Sequence, residues 1–295
     1  MHIASNASKP ILKLLPGLLL AGIAALSLHI LLQQIVGLPY PDVGGVPIWA
    51  RLLRPAGECG AVVAFWWLAQ RSMASWHPAL RVLTVGLVYA MAKETLRTSI
   101  MSGVVTDAYA YHLLRFIPAL VSCLVIAAVA GLSLWLPRRW WLLVPVGILL
   151  AVIQAYAVGP AIAATLGAWI NSIPTIGNVA AYDIHNGPHV LVPAYLTYIE
   201  PVIGACALCA LTWQSCGSSL ASRLAVFGVL WVFLTGHFVP LAVWSFFGER
   251  PWHVAFASMA QFTLEHLVLA LGVALAWHLS DAKSCLPSSP PSSVE

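Results

Sequence analysis

Residues 11–36 read ILKLLPGLLLAGIAALSLHILLQQIV. Only Lys13, His29 and the pair Gln33-Gln34 break this apolar run with large polar side chains. A helix needs about 20 apolar residues to cross the hydrocarbon core of a bilayer. The run is longer than the apolar core of a cleaved leader, and no small-x-small cleavage pattern follows it. It is expected to stay in the protein as a first membrane span.

Working outward, the same criterion finds runs at 50–70, 80–102, 113–136, 140–158, 188–213, 222–247 and 256–280. The expected fold is therefore all-α: a polytopic transmembrane helix bundle of about eight spans, forming one domain over residues 1–283. Residues 284–295 are rich in Ser and Pro and are expected to form a disordered cytoplasmic tail. Composition agrees. The chain is 60% hydrophobic and 8% charged, against about 25% charged in soluble domains. Its mean hydropathy is +0.88. These values exclude an ordinary soluble domain, a coiled coil and a disordered chain.

The net charge of +4 is scattered and gives no footprint for nucleic acid. There is no Walker loop and no Gly-x-Gly-x2-Gly fingerprint, so no nucleotide partner is expected. The expected partners are the lipid bilayer and, on one reading, the other subunits of a membrane complex.

Basic residues in short loops orient the bundle. With the N-terminus inside, Lys9, Lys13, Arg71, Arg81, Arg138, Arg139, Arg223 and Lys283 fall on the inner side, and Arg51, Arg54, Arg115 and Arg250 on the outer. Both termini are thus expected in the cytoplasm, in a bacterial inner membrane. The longest loop, 159–187, is expected outside. Its apolar part, 160–170, reads as a re-entrant or interfacial segment, or as a lid.

Charged groups inside hydrocarbon are costly and call for a partner or a wet cavity. Glu58, Lys93, Glu94, Arg97, Glu200, His237, Glu265, His266 and His29 all map to the outer half of their spans or near the midplane. Accidents of packing would scatter through both halves. The clustering points to a polar cavity facing the periplasm.

Lys93-Glu94-Thr95-Leu96-Arg97 reads either as an interhelical ion-pair network or as an anion clamp. On the second reading Glu94, Arg97, Lys93 and Glu58 are catalytic candidates, and Lys93, Arg97 and Tyr182 bind substrate. His185, His189, Glu200, His237, Glu265 and His266 are candidate metal ligands for zinc, copper or iron, or for a haem held between two imidazoles. The alternative for the histidines is a set of interfacial or hydrogen-bonded core residues. Three functions follow as expectations. The leading one is a metal- or haem-dependent membrane enzyme acting on a small or lipid-linked substrate. The others are a proton-coupled secondary transporter and a structural or assembly subunit of a membrane complex.

Overall fold

A computed structural model describes residues 11–106, 108–173 and 187–284. Among these the fold is an all-α bundle with no strand. α1 spans Ile11–Ile30 and closes with a π-helical turn, Leu31–Ile35. α2 covers Ile48–Ala69, α3 Pro78–Ala92, α4 Thr95–Thr106 and α5 Tyr109–Gly131. α6 runs over Trp140–Asn171. α7 covers Pro188–Thr197, α8 Ile199–Thr212, α9 Leu220–Thr235, α10 Phe238–Ala242 and α11 Trp252–Ser284.

Five helical segments are long and apolar enough to cross a membrane, or six if α9 and the segment Phe238–Phe246 are one bent span. The sequence led to about eight. The shortfall falls on α2 and on α3 with α4. Both are helical where spans were expected, but Arg51, Arg54 and Glu58 dilute the apolar character of α2, and the break at Lys93-Glu94 leaves α3 and α4 only 15 and 12 residues long, each too short to span.

The expected loop at 159–187 needs a second correction. Helix α6 continues through Gly159-Pro160 to Asn171, so 160–170 is part of that helix and not a separate segment. A proline inside an α-helix removes an i→i−4 hydrogen bond and pushes on the carbonyl of residue i−4. Here π-helical turns, Gln154–Val158 and Ala163–Gly167, flank Pro160. Their wider spacing takes up the ring without breaking the helix. Helix α11 likewise runs to Ser284, while residues 285–295 of the expected tail lie outside the described residues.

α1 packs against α11, α2 against α6, and α3 and α4 against α5. The bundle has two unlike halves. We call distal the end where α1 finishes and α2 begins. The proximal half holds the densest apolar core, with Phe65, Tyr89, Trp213, Phe227 and Trp231 almost wholly buried. The distal half holds the polar site.

Candidate functional site: a polar cavity between two broken helices

Two interruptions of helix shape the distal half. The first separates α3 from α4 at Lys93-Glu94. Glu94 has φ +52°, the only non-glycine residue in the left-handed region among those described. An L-residue there costs roughly 1–2 kcal/mol, so the surroundings must hold it. The break leaves the first amides of α4 without partners from their own helix. Glu200, at the start of α8, supplies them: its carboxylate accepts from Leu96 N at 3.1 Å and from Arg97 N at 2.5 Å. An anion suits this place, because the N-terminus of a helix carries partial positive charge.

The second interruption is at Gly236-His237. There α9 ends and the chain turns by 90° into α10. Gly236 has φ +76°. A Cβ built on it would run into the Glu58 carboxylate oxygen Oε1 and lie 2.9 Å from Arg54 Nε. Glycine is thus required twice, for conformation and for space. Thr263 Oγ1 donates to the His237 carbonyl at 3.1 Å and steadies the corner. The Trp244 indole N–H donates to the Ala50 carbonyl at 2.8 Å and ties the segment to α2.

Around these breaks the ionisable residues form two groups. In the first, Glu58 accepts from Arg54 Nε at 2.9 Å, from Lys93 Nζ at 2.5 Å and from the Tyr89 hydroxyl at 3.0 Å. In the second, Glu94 pairs with the Arg97 guanidinium and lies 3.8 Å from His266 Nε2. His29 Nδ1 lies 3.2 Å from Glu265 Oε2. Arg97 also sits over the Tyr198 ring, 4.9 Å from its centroid. The His237 ring is stacked between two rings of α11. Its centroid is 5.5 Å from Phe262 and 4.7 Å from His266, with interplanar angles of 14° and 13°.

A cavity of about 1070 Å³ joins the two groups. Arg54, Lys93, Glu94, Arg97, His29, His237, Glu265 and His266 line it, and Gln33, Tyr40, Ser102 and Val190 mark its distal mouth. The loop behind Tyr40 is fixed by Arg51, whose guanidinium donates to the carbonyls of Val43, Gly44 and Val46. On the proximal side the lining ends at Ala92, Thr235 and His266, against the aromatic core. The cations of this site are more exposed than its carboxylates. The side chains of Arg54, Lys93 and Arg97 are 35%, 24% and 16% exposed; those of Glu58, Glu94 and Glu265 are 2%, 11% and 2%. Three buried polar atoms of these residues make no hydrogen bond within the chain: Arg97 Nε, Glu94 Oε1 and His266 Nδ1. Such atoms are costly in a dry interior unless a ligand or solvent meets them.

Of the clustered residues, His29, Lys93, Glu94, Arg97, His237, Glu265 and His266 line one cavity while Glu58 and Glu200 do not, and the pairing among them differs from expectation. Lys93 and Arg97 do not share one helix face, because the break at Glu94 sends Lys93 to Glu58 and Arg97 to Glu94. His189 and Glu200 do not converge either. A new helix starts at Ile199, His189 is exposed near the start of α7, and Glu200 is taken up by the amides of α4. Among the described residues no group of three or more His, Cys, Asp or Glu is placed to hold a metal ion. The parallel stacking of His237 on His266 also differs from a haem held between two imidazoles, which needs rings aimed end-on at the iron. Tyr182 and His185 lie outside the described residues.

Arg54 is the residue sequence reasoning missed, since it reads as a basic loop residue at a span end. Its i,i+4 spacing from Glu58 is the signal that points to it. Tyr89 and Gly236 give no comparable signal.

No known protein family, curated protein or solved structure matches the chain.

Proposed function

We propose that the protein is a membrane-embedded enzyme that takes an anion-bearing substrate, small or lipid-linked, into the distal cavity and moves protons on it. One observation carries the reading: the cations Arg54, Lys93 and Arg97, all lining the cavity, are more exposed than Glu58, Glu94 and Glu265. Guanidinium and ammonium groups held this way suit a phosphate or carboxylate. The pairs His266–Glu94 and His29–Glu265 are the acid–base groups. An imidazole beside a carboxylate can accept a proton, and its partner then stabilises the cation formed. The metal-dependent form of the expectation draws no support from ligand geometry, so the proposal rests on these pairs. The cavity faces the periplasm if the loop basic residues orient the chain in a bacterial inner membrane with its N-terminus inside.

The test is calorimetric titration of the protein in lipid nanodiscs with inorganic phosphate and with acetate. Saturable binding of at least one anion is expected, weakened about tenfold or more by Lys93→Gln and by Arg97→Gln. Binding of neither anion, or binding indifferent to both substitutions, overturns the reading.

A second reading, a proton-coupled carrier, is favoured by the two helix breaks that flank the cavity, since discontinuous helices form the substrate sites of many carriers. Proteoliposomes carrying an internal pH dye separate the two. A carrier dissipates an imposed pH gradient when substrate is added on one side, whereas an enzyme leaves it intact.

A further inference from the structure

A second cavity, about 730 Å³, lies between α2, α6, α9 and α10. It shares no lining residue with the polar cavity. The seam between them is packed shut, with Gly57 against Phe233 and Val239 and the Trp244 indole on the Ala50 carbonyl. Apolar side chains and glycines line this second cavity. Its floor, Ala61, Ala64, Leu68 and Leu230, is buried, whereas Val144, Ile148 and Val229 are 66%, 46% and 58% exposed. It is therefore a groove that opens sideways, where a membrane-embedded bundle meets hydrocarbon. Along α2 it runs from Leu53 to Leu68, about 22 Å at 1.5 Å per residue. Its two ends differ in charge. At the distal end the arginines of α2 are occupied. Arg51 donates to the carbonyls of Val43, Gly44 and Val46, and Arg54 pairs with Glu58. At the proximal end Trp140 lines the groove, with Arg138 and Arg139 immediately before it, and Arg71 follows Leu68 by three residues. All three arginines are exposed, and none is in an ion pair among the described residues. Exposed Trp135, Trp140 and Trp141 flank the arginine pair, as aromatic residues do at the level of lipid headgroups.

We infer that the groove is a binding site for a phospholipid of net negative charge, with one hydrocarbon chain along α2 and the headgroup at Arg71, Arg138 and Arg139. The site goes beyond the reading of the polar cavity and does not depend on it. The occupant is argued from charge complementarity and size. Unpaired cations beside the proximal end of an apolar groove match a molecule with an anion at one end and a chain at the other, and basic clusters at a membrane surface attract anionic lipid. The rival occupant is a second helix. A helix about 10 Å across and about 22 Å long fills roughly 1700 Å³, so it rests on the groove and cannot enter it. The small residues that would receive it are already used within the chain. A Cβ on Gly60 meets the Leu143 carbonyl at 3.1 Å, and Gly147 is set against the Ala56 carbonyl and Gly60.

The test is native mass spectrometry of the detergent-purified full chain titrated with dioleoyl phosphatidylglycerol and, separately, dioleoyl phosphatidylcholine. The first equivalent of phosphatidylglycerol is expected to bind about fivefold or more tightly than that of phosphatidylcholine. Arg138→Gln and Arg139→Gln together are expected to abolish this preference. Arg81→Gln is the control, because its guanidinium is already bonded to the carbonyls of Ala74 and Trp76, and it should leave the preference unchanged. Val229→Trp and Ile148→Trp fill the groove from exposed positions on α9 and α6. Each is expected to weaken the first equivalent of both lipids. Binding indifferent to both tryptophans overturns the groove as the site. A preference that survives the double arginine substitution, or that Arg81→Gln reduces as much, overturns the headgroup assignment and shows diffuse attraction to a basic face. A protein dimer that the tryptophans abolish overturns the inference in favour of a second copy of the chain. An unchanged gel-filtration profile of the monomer verifies that each variant is folded.

Discussion

The carboxylate of Glu200 accepts the amide of Arg97 at 2.5 Å and so closes the first turn of a helix to which it does not belong. In hydrocarbon an unmet amide costs several kcal/mol, so a helix can start inside a membrane only where something supplies the missing acceptor. Glu200 does this from α8 and, in the same contact, fixes the backbone that carries Arg97 into the cavity. Arg97 therefore owes its position to a residue on another helix.

Removing that acceptor should cost more than changing its charge. Glu200→Ala leaves two buried amides unmet and is expected to lower stability by about 1–3 kcal/mol. Glu200→Gln keeps an oxygen in place and should lose less than half as much. Thermal unfolding in detergent, followed by circular dichroism, compares them. Equal losses would show that charge, and not capping, is what Glu200 contributes.

Glu94 offers a comparison in which the side-chain chemistry cancels. Both Glu94→Gly and Glu94→Ala delete the partner of Arg97, but only glycine accepts φ +52° without strain. The glycine variant should be the more stable by about 1 kcal/mol. An alanine variant as stable as the glycine one would mean that α3 and α4 can run on as one helix.

Gly236 and Gly37 test space apart from conformation. Both have φ near +75°, but nothing lies within 4 Å of a Cβ at Gly37, whereas one at Gly236 meets Glu58 and Arg54. Gly37→Ala should cost only the left-handed strain, about 1–2 kcal/mol. Gly236→Ala should cost at least 1 kcal/mol more, and it should weaken anion binding because Arg54 is displaced. The same unfolding curves, with phosphate titration beside them, measure both effects. Equal costs at the two positions would refute the close approach.

These residues also mark where sequence stops being informative. Apolar runs revealed a helical bundle, since length and hydropathy are properties of single segments. The depth of Glu58, Lys93, Glu265 and His266 along those runs located the cavity, because depth follows from counting residues. Pairing does not. The periodicity of 80–102 carries straight through Glu94, and nothing in Lys-Glu-Thr-Leu-Arg signals a left-handed residue. That break redirects Lys93 to Glu58, and the amides it frees recruit Glu200 away from the expected ligand set. Likewise Gly159-Pro160 reads as the end of a helix, because the π-turns that accommodate it depend on hydrogen bonding that residue type does not encode. Arg54 stands at i,i+4 from Glu58, which places the two on one helix face, but its position at the end of an apolar run makes it read as a loop residue.

Seven ionisable residues besides Arg54 line one cavity, and we propose that water and anions enter it from the distal end. Thr98 lines that cavity and is exposed within it. The most direct measurement is the rate at which Thr98→Cys reacts with two membrane-impermeant methanethiosulfonates, one anionic and one cationic, added to either side of oriented proteoliposomes. Reaction is expected from the distal side alone, with the anionic reagent faster by about tenfold after correction for intrinsic reactivity. Reaction from the proximal side, or a faster cationic reagent, would contradict the account.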